Sequence, residues 1–326
     1  MTQRLSSLAA ATAAALLLCA ATQARAEYPD RIVKMQVGFA AGGGADIIAR
    51  WYTEKLSKLS NGSFIVENRV GASGNLALDA TAKAKPDGYT LLFASTVTTA
   101  GNAAIFKPEN MPVDVRKDLV PIMGFGETPF VLAVAPDSPI NTVADLTAFI
   151  KSKDGKATYG SATSSALAST ELYLQKVGAK ATQVLYKSTG NAIQDVTAKQ
   201  IDFAFADVVF ATGQVKAGRI KLIANASDTR SPSLPDLPTL KETTGATTGD
   251  IVALWGIWAP AGTPKDIQEK LGKWMNEITK SEEAQKFLIS QGATPYVATQ
   301  EDYRKKFELA LAAWQNAVKI AHIELQ

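Results

Sequence analysis

Cysteine is almost missing from this 326-residue chain: the single one, Cys19, lies in an apolar N-terminal stretch. Everything beyond it is thiol-free, which excludes disulfides and thiolate metal sites. Histidine is equally scarce. His322 stands alone near the end of a terminal helix, a surface or helix-end position, so Ser–His and Cys–His nucleophile pairs and most transition-metal sites are excluded. No G-x-S-x-G elbow is present. Charge of one sign is lacking too: 34 basic against 31 acidic side chains leaves no surplus to hold nucleic acid or a membrane surface. Long hydrophobic runs are also absent, since Leu8 to Ala21 is too short to span a bilayer.

That run instead reads as a secretory signal peptide. Arg4 precedes it, and Ala24-Arg25-Ala26 fits an A-x-A site, so cleavage is expected between Ala26 and Glu27. Leu18 before Cys19 is too large for a lipoprotein signal. Residues 1–26 are therefore the signal peptide. The mature chain, 27–326, is cysteine-free and near neutral, with 32 basic and 31 acidic side chains. Export without cysteine suits a bacterial periplasm and a core large enough to need no cross-links. Two domains are expected at this length.

The most informative stretch is Phe39-Ala40-Ala41-Gly42-Gly43-Gly44-Ala45-Asp46. A strand-like run, Ile32 to Phe39, enters it, and a helical spacing of Ile47, Ile48, Trp51, Leu56 and Leu59 leaves it. Glycines let backbone approach a ligand, and the first N–H groups of a helix are unpaired and favour negative charge. A carboxylate, phosphate or sulfate could be held by backbone alone; a tight turn with no ligand is the other reading. Nucleotide forms fail, because G-x-x-x-x-G-K-[ST] is absent and Ile47 breaks G-x-G-x-x-G. Asp46, in the first helical turn, fits a dipole-complementing cap better than a ligand contact.

Strands at Phe64–Glu67 and Tyr89–Ala94 around a helix from Leu76 to Ala84 make β-α-β-α-β, which implies a parallel sheet. Ligands sit at the carboxyl ends of such strands, where Gly42–Gly44 and Ser95-Thr96 both fall; one of Ser95 and Thr96 is expected to give a hydroxyl contact. From Phe130 the pattern repeats. Strands at 130–134, 157–160, 184–186 and 203–206 end at Ser161 to Ser165, at Tyr186-Lys187 to Asn191, and at Asp207. A strand at 252–258 carries Trp255 and Trp258, which face opposite sides, so at most one looks into a cleft. Helices at 265–280, 281–291 and 300–323 close the chain with no third sheet. The expectation is an α/β protein of two lobes with a cleft between them: 27–125 plus 226–326 form lobe 1 and 126–225 lobe 2.

These residues carry a resemblance. Val37 to Asp46 is similar to an F-x-P-G-G-x-x-D turn, Val66-Glu67-Asn68-Arg69-Val70-Gly71-Ala72-Ser73-Gly74-Asn75 to V-E-N-x-x-G-A-G-G-N, and Pro86 to Leu91 to P-D-G-Y-T-L. With Tyr186-Lys187, Asp207, Arg230 to Thr239 and Ala259 to Pro264, the mature chain resembles the periplasmic solute receptors of tripartite tricarboxylate transporters, the Bug receptors. The resemblance implies a Venus-flytrap, periplasmic-binding-protein architecture. It implies a non-enzymatic, monomeric receptor that needs no cofactor, catalytic residue or metal and hands a small organic carboxylate to a membrane permease.

In such a receptor the glycine turn, with Phe39, Ala40, Gly42, Gly43 and Gly44, holds one carboxylate, helped by ordered water. Ser161, Thr163, Ser164, Ser165, Tyr186, Lys187 and Asp207 complete the cleft. Phe39 and Tyr186 read equally as core, and Lys187 equally as solvated. Three departures stand out: Ala41 in place of proline, Thr163-Ser164-Ser165 in place of a longer glycine-rich run, and Ser188 in place of glycine. A di- or tricarboxylate is the expected ligand. An aromatic, nicotinate-like or amino-acid monocarboxylate is the alternative, and an exported α/β enzyme the competing class.

Overall fold

The computed structural model describes residues 28–231, 233–247 and 251–326. The expected signal peptide and its cleavage after Ala26 lie outside the described residues, as does Pro232.

Eleven strands form two sheets among the described residues. The first contains β1 (Val33–Val37), β2 (Phe64–Asn68), β3 (Thr90–Ser95), β4 (Leu119–Thr128), β10 (Ala253–Pro260) and β11 (Thr294–Ala298), in the order β11-β4-β10-β3-β1-β2. β1 runs parallel to both neighbours, Met35 facing Val66 on one side and Leu91 on the other. Helices cover both faces, so apolar residues such as Val33, Met35 and Leu92 are fully buried. The sheet departs from the all-parallel expectation: β10 enters antiparallel between β3 and β4, and β11 adds antiparallel to β4.

Two glycines explain how that half of the sheet packs. A Cβ on Gly124 of β4 would lie 2.6 Å from the Tyr303 ring, and one on Gly256 of β10 2.3 Å from it. Only bare backbone admits that ring. It belongs to the Gln300–Ile320 helix, which buries Tyr303, Phe307, Leu311 and Trp314 along one face. Each contributes about 1.5–3 kcal/mol by leaving water.

The second sheet joins β5 (Phe130–Val134), β6 (Thr158–Ser161), β7 (Thr182–Leu185), β8 (Phe203–Asp207) and β9 (Lys221–Asn225), in the order β7-β6-β8-β5-β9. β6 is parallel to β7 and β8; β5 is antiparallel to β8 and β9. The chain passes between sheets through Pro129 alone, which separates β4 from β5. It returns after β9 by way of the Leu240–Thr244 helix, which packs on the Val143–Ser152 and Ser164–Val177 helices of the second sheet.

Candidate functional site

The glycine turn follows β1 directly. Gly42 has φ +77°, a left-handed conformation that favours glycine. The Gly43 N–H donates to the Ala40 carbonyl (3.1 Å) and the Gly42 N–H to Asp46 Oδ2 (2.9 Å), which locks the turn. The Gly44–Ser60 helix then starts with no side-chain cap. Among the described residues, the N–H groups of Gly44 and Ala45 have no hydrogen-bond partner.

Asp46 points into the protein. It is 3% exposed and accepts from Arg50 Nε (2.8 Å) and Asn68 Nδ2 (2.9 Å) besides Gly42. Burial works to raise its pKa, but these hydrogen bonds outweigh burial and hold the carboxyl below the usual range. Asn68 Nδ2 also donates to the Phe39 carbonyl (2.9 Å), tying the turn to β2.

The turn forms one wall of a cavity of about 160 Å³, room for on the order of ten waters and so for a small organic acid. Ser95 and Trp255, paired across β3 and β10, floor it. Trp255 Nε1 donates to Thr128 Oγ1 (2.8 Å), which fixes the indole. Trp258, on the same strand, is instead buried against Tyr303 and Phe307.

The opposite wall comes from the second sheet, where three helices begin. Thr163 caps Ser164–Val177 by accepting from Ala166 N (3.1 Å), Ser188 caps Thr189–Thr197 by accepting from Asn191 N (3.2 Å), and Asp207 caps Val208–Lys216 by accepting from Phe210 N (2.9 Å). With the glycine turn, four helix N-termini converge on one cavity, and among the described residues no Lys, Arg or His lines it. Their dipoles and free N–H groups make the site electropositive without a cation. Burial pushes the Asp207 carboxyl up to about 6, against the pull of the N–H groups of Phe210, Asp207 and Val209.

The two walls touch. A Cβ on Gly44 would lie 2.0 Å from Asp207 Oδ1 and 3.1 Å from Val209 Cβ, and one on Gly292 2.8 Å from Val208 Cγ2. Ser164 Oγ donates to Asn102 Oδ1 (2.7 Å) across the same gap, and the Gln175 amide donates to the Ile320 carbonyl. This is a closed cleft.

Of the residues singled out from the sequence, Phe39, Ala40, Gly42, Gly43, Gly44, Ser95, Thr163 and Asp207 line the cavity together. The others lie outside its lining. Thr96 Oγ1 donates to the Val252 carbonyl (2.9 Å) and accepts from Leu254 N (3.2 Å), stitching β3 to β10. Ser161 Oγ accepts from Gln183 Nε2 (2.7 Å), Ser164 holds Asn102, and Ser165 is fully buried without a partner. The Tyr186 hydroxyl donates to Asp195 Oδ2 (2.6 Å), and Lys187 is exposed. The loop does reach the cavity, slightly later: Ser188, Thr189 and Gly190 line it. The signal for them was the capping pattern of Ser188 ahead of a helix. Phe130 and Phe210 also form wall, and nothing in their local sequence distinguished them from core.

Two α/β lobes clasping a cavity ringed by helix starts define a periplasmic-binding-protein fold, and solved structures bear this out. An R. palustris protein with adipate superposes with TM-score 0.87 at 28% identity, covering 91% of this chain and 99% of that one. The periplasmic binding protein BugD matches with TM-score 0.84 at 28% identity, covering 92% and 100%. MatC from Rhodopseudomonas palustris with bound malate matches with TM-score 0.82 at 26% identity, covering 89% and 100%. In sequence, protein BugT of Bordetella pertussis is 30% identical over 295 residues, 90% of each chain. The model of the tripartite tricarboxylate transporter family receptor matches residues 48–322, and the chain belongs to that family. It is a solute-binding receptor of the Bug type with the two-lobed fold. Among the described residues no helix is long and apolar enough to cross a membrane.

Proposed function

We propose that this protein captures a small organic carboxylate in the periplasm and delivers it, as a monomer, to a membrane permease. A signal peptide removed after Ala26 would export it. The carrying observation is the cavity between touching lobes on which four helix N-termini converge, with no basic side chain in its lining among the described residues. Such a site suits a carboxylate, held by the N–H groups of Gly44 and Ala45, the hydroxyls of Ser95 and Thr163, and trapped water. The six-stranded sheet is lobe 1 and the five-stranded sheet lobe 2 in this reading. A break near 125/126 is supported by the strand end at Thr128, whereas the packing of Leu240–Thr244 on the helices of the second sheet favours a return to lobe 1 after that helix over one at 225/226.

Donors at both ends of the cavity, the glycine turn and Ser188–Gly190, favour a ligand with two polar ends, and structural neighbours hold adipate and malate. Phe39, Phe130, Phe210 and Trp255 between those ends favour an apolar middle, so an aromatic acid is the second reading. No nucleophile–base pair lines the cavity among the described residues, and catalysis is not part of the proposal.

A thermal-shift panel of citrate, C4 to C8 dicarboxylates, acidic amino acids and aromatic acids on ligand-stripped protein tests this. A ligand at about a hundred times its Kd adds about 2.7 kcal/mol, several degrees in Tm. A panel without any shift would sink the carboxylate reading.

A further inference from the structure

We propose that Asp207 takes up a proton when the cleft closes on a carboxylate, so that capture is coupled to pH through this one side chain. The inference rests on the receptor reading and deepens it. Asp207 is the one titratable side chain lining the cavity among the described residues. It stands against Gly44, at the helix start whose free N–H groups offer the anion site. A carboxylate seated there lies next to the Asp207 carboxylate between lobes that touch, where burial weakens the screening of either charge. Two like charges in such a place do not both persist: one of the pair protonates.

Among the described residues no neighbouring charge relieves the conflict. On the Gly44–Ser60 helix, Asp46 and Arg50 are bound to each other and to the glycine turn and Asn68. On the Thr189–Thr197 helix, Asp195 accepts from Tyr186, and just before β8 Asp202 accepts from the Thr158 N–H. On the Ser164–Val177 helix, Glu171 accepts from Tyr159; on the Val208–Lys216 helix, Lys216 sits in the last turn, away from the cap. Lys187, in the preceding loop, is exposed and outside the cavity lining.

Geometry gives the proton a place. Oδ1, the oxygen set against Gly44, already accepts from Phe210 N, which assigns the proton to the other oxygen, Oδ2. With the lobes in contact and no ligand, burial already raises the group to about 6, so a further push from a bound anion protonates it near neutral pH.

The test is calorimetry on ligand-stripped protein at about pH 6.5, 7.5 and 8.5, in buffers of unlike ionisation heat. The probes are adipate, malate, benzoate and glutamate. The expected result is uptake of a substantial fraction of a proton, largest at pH 6.5 and fading towards pH 8.5, with affinity falling as pH rises by less than tenfold per unit. Asp207→Asn, which can still cap its helix, should bind with neither slope nor proton uptake. Asp207→Ser serves if the Asn variant does not fold. Binding of adipate, malate or benzoate without proton uptake would overturn the coupling and leave the receptor reading intact. So would selection of glutamate at a pH-independent affinity, because an ionised Asp207 would then be pairing with its ammonium. Silence from every probe at every pH, in wild type and variants, would overturn the carboxylate reading and the coupling together.

Discussion

Gly44→Ala tests whether the closed cleft is the binding state. Gly44 opens a helix with ordinary right-handed geometry, so alanine is welcome in the backbone and should stabilise the lobe by about 0.5–1 kcal/mol. The new Cβ, however, would sit 2.0 Å from Asp207 Oδ1 and 2.8 Å from its Cγ. That carboxylate is held by its cap bond to Phe210 N and cannot swing aside freely. Displacing it forfeits a cap of about 1 kcal/mol, and shifting the packed Val209 adds about 1–3 kcal/mol of overpacking. Closure should therefore lose roughly 2–4 kcal/mol, and ligand affinity should fall about 30- to 1,000-fold. Calorimetry gives the affinity, and a thermal melt of the unliganded protein should show equal or higher Tm. Adding Asp207→Ser, a shorter cap, should restore part of the binding. A Gly44→Ala protein that binds within twofold of wild type would refute the reasoning, because the lobes would then grip the ligand without this contact.

Asp46→Asn should cost about 2 kcal/mol at pH 7, since the amide cannot accept from Gly42, Arg50 and Asn68 at once. The wild-type carboxyl titrates below its unfolded value, so its contribution is complete above about pH 4 and lost as pH falls through the folded value. Urea melts of the two proteins should converge in acid. Ser164→Ala removes the hydroxyl that bridges to Asn102 across the cleft; ligand affinity should drop about fivefold while the unliganded Tm moves little. Trp314→Ala should cost about 3–5 kcal/mol in a urea melt, because the indole is fully buried and fills the space beside Gly101.

The parts of this fold legible in the sequence are those where the chain writes its instruction locally. Gly42–Gly44 after an apolar run marked the strand-to-helix turn, and the polar strand ends around Ser188 and Asp207 prove to be where helices start, with those two side chains as their N-caps. What stayed hidden depends on distant partners. β4 carries Pro121, Gly124 and Gly126, residues that argue against a strand until the Tyr303 ring, almost 180 residues away in sequence, is laid over it. β11 is short and only partly buried, and it exists because the edge of β4 accepts it. The site followed the same rule. Hydroxyls at strand ends all looked equivalent, and tertiary partners decided that Ser95 faces the cavity while Thr96 ties β10 in place.

The fixed indole of Trp255 has a practical consequence. Of the five tryptophans, Trp51 stacks on Phe287, Trp274 lies against Tyr28, and Trp258 and Trp314 are sealed in the core. Trp255 alone forms part of the cavity wall, anchored at its nitrogen. The chain thus carries its own optical reporter: occupancy should register as a change in intrinsic emission that traces to a single fluorophore. With the other four indoles replaced by phenylalanine, the same polypeptide would become a reagentless sensor for its solute.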